Sequence, residues 1–256
     1  MTQNRRQYGT APSTVVVLHG GPGGAGEVAP FAEALAGLGH DVLEPFQAAM
    51  SVDAQVAELH SQISAYCTAP VTLIEWSWGA WLGCLFAARH PDAVQTLILV
   101  GSGPFEARHA EAIRHTKAAR LTAEMQAELG TLRLERGNPT HVARFIELSD
   151  VADTYARDQS PPPVVHFDER IHAAVWQDAK ALRQSGALLK AVGTIRCPVT
   201  AIHGDYDPRP AEGVSAPLLR VLPNATFHLL ANCGHKPWQE VHARDAFYRL
   251  IKDAIG

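Results

Sequence analysis

The sequence has little net charge of either sign. Its 22 Lys and Arg stand against 26 Asp and Glu, the net charge is −4, and no block of basic residues occurs anywhere. A chain without a basic stripe lacks the electrostatic footprint of a nucleic-acid binder, so that partner is excluded. Cysteine is scarce as well. Cys67, Cys84, Cys197 and Cys233 do not pair with one another at C-x-x-C spacing, so no metal centre is expected. They read as buried free thiols of a reducing compartment, and the expected location is cytoplasmic. The first twelve residues, MTQNRRQYGTAP, hold two arginines and no apolar stretch, which predicts no secretory signal. Long hydrophobic runs are missing too, with one exception at residues 71–88, VTLIEWSWGAWLGCLFAA. That length could pass for a membrane span. However, Glu75 and Ser77 interrupt it, and its residue types change from strand formers (71–74) to helix formers (80–88). The expectation is a buried strand–turn–helix and no membrane partner.

What the chain does have is a rhythm. Apolar runs at residues 14–18, 41–43, 71–74, 96–100, 199–202 and 226–230 read as six strands. Between the first two, Val28, Phe31, Leu35 and Leu38 recur at helical spacing, and Gly39 follows as a stop. A second helix carries Val52, Val56, Leu59, Ile63 and Tyr66 on one face, with Ser51 as its N-cap. The helix after Ser77 is apolar nearly all round and must be buried. Such alternation implies an α/β fold: a mostly parallel sheet of about six strands with helices on both faces. The rhythm breaks between about residues 104 and 192. There EARHAEAIRHTKAARLTAEMQAEL is helical in propensity, SPPPVV (160–165) is a stiff extended link, and a further helical stretch runs from Asp168 to about Lys190. The organisation expected is a helical insertion, 104–192, within a core made of 1–103 and 193–256. With 256 residues and 46% hydrophobic content, one such core is well within reach.

The loop after the first strand, HGGPGGAGE (19–27), has two readings. Gly21, Gly23 and Gly26 satisfy G-x-G-x-x-G, and Glu44 at the end of the second strand stands where an acid could bind a ribose hydroxyl, as in a dinucleotide-binding oxidoreductase. In that fingerprint the helix begins within the glycines and points its N–H groups at the pyrophosphate. Here Pro30 belongs in the first turn of its helix, which places the helix start near Val28 or Ala29 and leaves the glycines in a wider loop. A phosphate loop of the Walker type is excluded, because no Lys-Ser or Lys-Thr follows. The second reading is an oxyanion loop.

Later residues favour the second reading. E-W-S-W-G (75–79) sets a serine at the corner between the third strand and a helix. HGDYDP (203–208) closes the fifth strand and brings two acids, Asp205 and Asp207. NCGHKPWQE (232–240) follows the sixth and brings His235. Serine, acid and histidine thus stand in that order at the carboxyl ends of three strands, as a nucleophile elbow and its partners require. With these motifs the chain resembles the α/β-hydrolases. H-G-G-P-G together with a tryptophan directly after the serine is most similar to the proline iminopeptidase branch. The resemblance covers residues 14–102 and about 195–255, and the helical insertion stands where that family carries its cap.

The resemblance implies Ser77 as nucleophile, His235 as general base and, from the family's spacing, Asp207 as the acid that orients it, with Asp205 organising the turn. It implies an oxyanion hole from the backbone N–H groups of Gly21 and Trp78, with His19 holding the loop. Trp81 is expected in the core and Trp176 on the wall of the substrate pocket. No cofactor is implied. The sequence departs from the family at three places. Glu75 stands where a small residue is usual, either ion-paired or pointing into a widened site. EPFQAAMSVD replaces the Asp-x-Arg-Gly-x-Gly-x-Ser loop of aminopeptidase-like members, and the N-terminal hairpin is missing. An aminopeptidase would also need acids for a free amine. Glu147, Asp150, Asp153, Asp168 and Glu169 are available, though such residues usually form a solvated helix face. The expected function is a serine hydrolase acting on a small carboxylic ester through an acyl-enzyme. An aminopeptidase, a dinucleotide-binding oxidoreductase and a non-catalytic hydrolase-like binding protein are the alternatives.

Overall fold

The structure is a computed structural model that describes residues 4–132 and 139–256. Its centre is a seven-stranded sheet built from β1 (Arg5–Tyr8), β2 (Ser13–Leu18), β4 (Val42–Pro45), β5 (Cys67–Trp76), β6 (Val94–Val100), β8 (Val199–Gly204) and β9 (Thr226–Leu230), in the order β1-β4-β2-β5-β6-β8-β9. All pairs are parallel except β1 with β4. Two-residue strands β3 (Gly24–Ala25) and β7 (His166–Phe167) form a separate antiparallel pair.

Alternation along the strands divides the core into two layers. Val15, Val17, Ile74, Ile98 and Val100 face α1 (Ala29–Gly37) and α10 (Arg244–Ile255), where Phe31, Leu35, Phe247 and Ile251 complete the layer. Val16, Leu18, Leu73, Leu97 and Leu99 face the other way. They meet α2 (Val52–Tyr66), α3 (Trp78–Arg89), α8 (Ala187–Val192) and α9 (Glu212–Val221). Ten of the twelve residues of α3 are buried, as its all-round apolar sequence requires. Helix α1 starts at Ala29 with Pro30 in its first turn. Ser51 accepts a hydrogen bond from Ala54 N at 3.2 Å as the N-cap of α2. The apolar run 71–88 is split between β5 and α3, and no described helix is long and apolar enough to cross a membrane.

Several expectations need correction. The N-terminal residues do add a strand. Arg5–Tyr8 carries no apolar alternation because it is a polar edge: Arg5 lies over the Tyr66 ring at 3.4 Å, and Tyr8 donates to Glu44 at 2.8 Å. Glu44, fully buried, is therefore a structural anchor for β1 and unavailable to a ribose. Burial pushes its carboxyl up to about 6. Of the free cysteines only Cys84 and Cys233 are buried; Cys67 and Cys197 are half-buried.

Between β6 and β8 the chain forms α4 (Ala110–Ala119), α5 (Ala123–Leu132), α6 (Pro139–Asp153), β7, α7 (Glu169–Gln184) and α8; residues 133–138 of the expected insertion lie outside the described residues. Asp168 caps α7 by accepting from the N–H groups of Arg170 and Ile171. Gly186, at φ 77°, breaks the long helical stretch into α7 and α8. This segment is tied down at two places. Asp168 N donates to Gly23 O at 3.0 Å, and a Cβ on Gly23 would come within 2.6 Å of Asp168 O, so only glycine permits that approach. At the other place the carboxylate of Glu240, fully buried, accepts from Gly234 N (2.8 Å), Tyr155 N (2.9 Å) and Ala156 N (2.7 Å).

Removing a buried carboxylate that satisfies three backbone donors leaves those donors unpaired. Glu240→Ala is expected to lower stability by about 2–4 kcal/mol. Urea denaturation checks this, and an unchanged midpoint would show the latch to be dispensable.

Candidate active site

Strand β5 ends at Trp76, and the chain turns into α3 through Ser77 at φ 59° and ψ −112°. A non-glycine residue at that φ costs of order 1–3 kcal/mol, and the corner is held in part by Ser77 N donating to Val100 O at 3.0 Å. The turn projects the hydroxyl past the edge of the sheet. His235 Nε2 lies 3.0 Å from Ser77 Oγ, and His235 Nδ1 lies 2.6 Å from Asp207 Oδ2. Asp207 is thus the acid that reaches the imidazole, whereas Asp205 Oδ1 accepts from Cys233 N at 3.2 Å and shapes the turn. A carboxylate on Nδ1–H fixes the tautomer in which Nε2 is free to accept the serine proton.

The expected oxyanion donors are near at hand. Trp78 N is the first N–H of α3, and Gly21, at φ 89°, belongs to the glycine loop. Among the described residues neither N–H has a protein acceptor. His19 holds this loop from within: its Nδ1–H donates to Gly20 O at 2.9 Å, and its Nε2 accepts from Gln47 N at 3.2 Å. Burial pushes His19 down to about 4, so it is neutral. Gln47 was not singled out from the sequence. It nonetheless links the loop to the elbow, accepting from Trp78 Nε1 at 2.8 Å and donating to His19 O at 3.0 Å. The signal lay in EPFQAAMSVD, the stretch that departs from the aminopeptidase pattern.

Two further residues were not anticipated. Trp76 Nε1 donates to His235 O at 2.8 Å, and its ring packs 4.9 Å from the imidazole. His172 of α7 donates from Nδ1 to Gly21 O at 2.6 Å. Trp81 is core, as expected, at 2% exposure. Trp176 is half-buried and stacks on it at 5.9 Å, while Trp78 meets the other side of Trp81 edge-on at 6.2 Å. A row of indoles thus leads from beside the serine to α7.

Charge around the imidazole is dense and paired. Arg209 bonds Asp153 Oδ1 at 2.8 Å and lies 3.4 Å from Asp207 Oδ1. Lys117 bonds Asp153 Oδ2 at 2.8 Å, and Asp153 O accepts from His235 N at 2.8 Å. Asp153 is therefore a buried hub and not part of a solvated face. Burial opposes its ionisation, but Arg209 and Lys117 hold it far below the usual carboxylate range. Burial, and after it the Arg209 charge, depress His235 below its ordinary value, so the imidazole is neutral. Asp207 stays ionised because His235 and Arg209 outweigh its burial.

Glu75 meets neither expectation. Lying in β5 between Leu18 and Leu99, it is fully buried, and neither carboxyl oxygen has a hydrogen-bond partner. Its carboxyl occupies the space that a side chain at Gly83 would need, so the small residue that lets strand and helix pack stands on α3 instead of on β5. Burial pushes its pKa well above 4.5, and it is held as a neutral acid.

The family model of the α/β hydrolase fold matches residues 48–238. This chain belongs to that family. Two curated relatives share a name, pimeloyl-[acyl-carrier protein] methyl ester esterase. The one from Chromobacterium violaceum is 28% identical over 94% of this chain and 93% of its own length. The one from Nitrosomonas europaea is 27% identical over 64% and 63%. Among solved structures, VinJ superposes with a TM-score of 0.70 at 18% identity, covering 98% of this chain and 93% of that one. E-2-(acetamidomethylene)succinate hydrolase gives 0.66 at 16%, covering 98% and 94%. Both likenesses show the fold. The family-model match establishes the superfamily, whereas the iminopeptidase branch expected from the motifs finds no support: the named relatives are methyl ester esterases.

Two measurements test the electrostatics. The folded-state pKa of Glu75 is raised, so its contribution to stability is complete below about pH 4.5 and is lost as pH rises. Glu75→Gln does not titrate there. Its stability relative to the parent should increase above pH 4.5 by about 1.4 kcal/mol per pH unit until the folded pKa is reached. Urea melts at pH 5 and pH 8 read this directly, and parallel pH profiles would refute it. Arg209 disfavours the imidazolium, so Arg209→Met should move the acid limb of kcat/KM upward by about one pH unit.

Proposed function

We propose that this chain is a serine hydrolase that cleaves a small carboxylic ester through an acyl-enzyme on Ser77. The observation that carries the reading is the continuous hydrogen-bonded chain from Ser77 through His235 to Asp207, beside two backbone N–H groups without acceptors. Ser77 Oγ attacks the ester carbonyl as His235 Nε2 takes its proton. The oxyanion develops against the N–H groups of Gly21 and Trp78, each donor worth about 3 kcal/mol in the transition state. His235 then protonates the departing alcohol. In the second half it activates water, which releases the acid and restores Ser77. Residues 104–192 serve as the cap over a core of 1–103 and 193–256, with Trp176 on the pocket wall.

An ester is preferred to an N-terminal aminoacyl bond for two reasons. The two curated relatives carry methyl ester esterase names, which makes a methyl ester of an acyl group the first substrate to try. Acids that could hold a free amine are also occupied. Asp153 is bound by Lys117 and Arg209, and Asp150 by Lys236 and Arg157. Glu147 pairs with Arg144, and Asp168 caps α7. The glycines do not favour a dinucleotide either, since Gly23 and Gly26 face the backbone of Asp168 and Val164.

Ser77→Ala is expected to reduce turnover of p-nitrophenyl butyrate by about 10⁴-fold or more, and a fluorophosphonate should label Ser77 in the folded protein. Full activity in the variant, or labelling elsewhere, sinks the mechanism. Faster cleavage of aminoacyl anilides than of esters would assign the iminopeptidase activity instead.

A further inference from the structure

Arg183, near the end of α7, is 9% exposed, and its guanidinium faces no carboxylate among the described residues. Its Nε has no hydrogen-bond partner. Among the described residues its guanidinium carbon lies 5.3 Å from the Trp81 ring, which packs on the cation without bonding Nε. An aromatic face supports a cation but supplies no acceptor for its N–H groups. A buried charge left in that state is a standing cost to the fold, the signature of a site whose partner comes from outside.

The surroundings fit such a partner. Arg183 lines a surface groove of about 590 Å³ between the loop after β6 and the ends of α7 and α8. Lys190 and Arg108 stand in the same groove. Its one acid, Glu106, is already taken, bonded by Arg108 at 2.9 Å and by Arg220 at 2.7 Å. The groove therefore carries an excess of positive charge around a recessed guanidinium, beside the half-buried apolar side chains of Leu189 and Val221. The serine is not among its residues. Trp81, under the Arg183 guanidinium, is held by its Nε1 donating to Gly103 O at 3.0 Å.

We propose that this groove is a second ligand site, binding an organic carboxylate that carries an apolar chain, with the carboxylate on the Arg183 fork and the chain along Leu189 and Val221. The planar guanidinium presents two parallel N–H donors matched to a carboxylate. Lys190 at the exposed rim adds attraction from a distance. The recess favours a slim small molecule over an acidic side chain on a folded partner. This site goes beyond the proposed esterase centre, and a ligand in it does not touch Ser77.

Octanoate is the probe, titrated calorimetrically into the full-length protein. One-to-one binding is expected, weakened at least tenfold in Arg183→Met and less in Arg183→Lys. Octan-1-ol, with the chain but no anion, should bind at least tenfold more weakly. Lys190→Ala, an exposed change that leaves the core untouched, should weaken octanoate two- to fivefold and reduce the salt dependence. Arg183→Met should melt no lower than the parent, because it removes an unpaired buried charge, and should hydrolyse p-nitrophenyl acetate at the parent rate. The proposal is overturned if the parent binds no octanoate at millimolar concentration, or if Arg183→Met binds it within twofold of the parent. It is equally overturned if inorganic phosphate displaces octanoate at equal concentration. None of these outcomes depends on whether Ser77 is the nucleophile.

Discussion

The corner at Ser77 holds a non-glycine residue at φ 59°, a conformation the chain would not adopt by itself and that its neighbours have to impose. Strand β5 enters from the middle of the sheet with β2 and β6 on its two sides, and α3 leaves into a layer where nearly every side chain is buried. The corner therefore cannot relax without disturbing the best-packed part of the molecule. The strain has three geometric results at one point. It exposes a hydroxyl, frees the N–H of Trp78, and sets the glycine loop across from it. The other two members of the proposed triad need no strain. They sit in loops after β8 and β9, where the parallel sheet delivers every carboxyl end to the same edge.

Around this corner the helical segment between β6 and β8 is fixed by polar contacts to the edge of the sheet. Asp153 binds a cation from α4 and one from the loop after β8, and its carbonyl receives the backbone N–H of His235. Glu240 binds the chain just after α6, and His172 donates to the glycine loop. Buried ionic contacts of this kind are a poor source of net stability but a strong source of register, since a misplaced partner leaves a charge unpaired. In this position the register is that of the imidazole. The acids near the imidazole thus fix where the helices sit as well as how the imidazole titrates.

Much of this was legible in the sequence, and what was missed has a common cause. The alternation of apolar runs and helical periods, the N-cap at Ser51, the start of α1 near Pro30 and the local motif around each of Ser77, Asp207 and His235 are all short-range patterns. Their physics is carried by residues a few positions apart. Asp153, His172 and Glu240 act through partners that come from elsewhere in the fold, and nothing in their neighbourhoods distinguishes them from loop or helix-surface residues. Strand β1 escaped notice for a related reason. An edge strand needs no apolar alternation when its side chains find Glu44 on the neighbouring strand and Tyr66 at the end of α2. The G-x-G-x-x-G match misled in the opposite way. Glycine is permissive for any close approach, and here what approaches is the chain's own backbone at Val164 and Asp168.

Glu75 and Arg183 mark where sequence patterns stop being informative about charge. Both are ionisable, both are buried against α3 or its tryptophan, and neither finds an ionic partner among the described residues. The physics separates them. A carboxyl group can escape an unpaired burial by taking up a proton, and Glu75 does so, at the expense of a carboxylic acid wedged against Gly83. A guanidinium has no comparable escape, because its pKa lies too far above any working pH. Arg183 keeps its charge whether or not anything binds there. The same burial that makes Glu75 a matter of packing and pH therefore makes Arg183 a standing demand for an anion, and the groove that opens beside it is where that demand can be met.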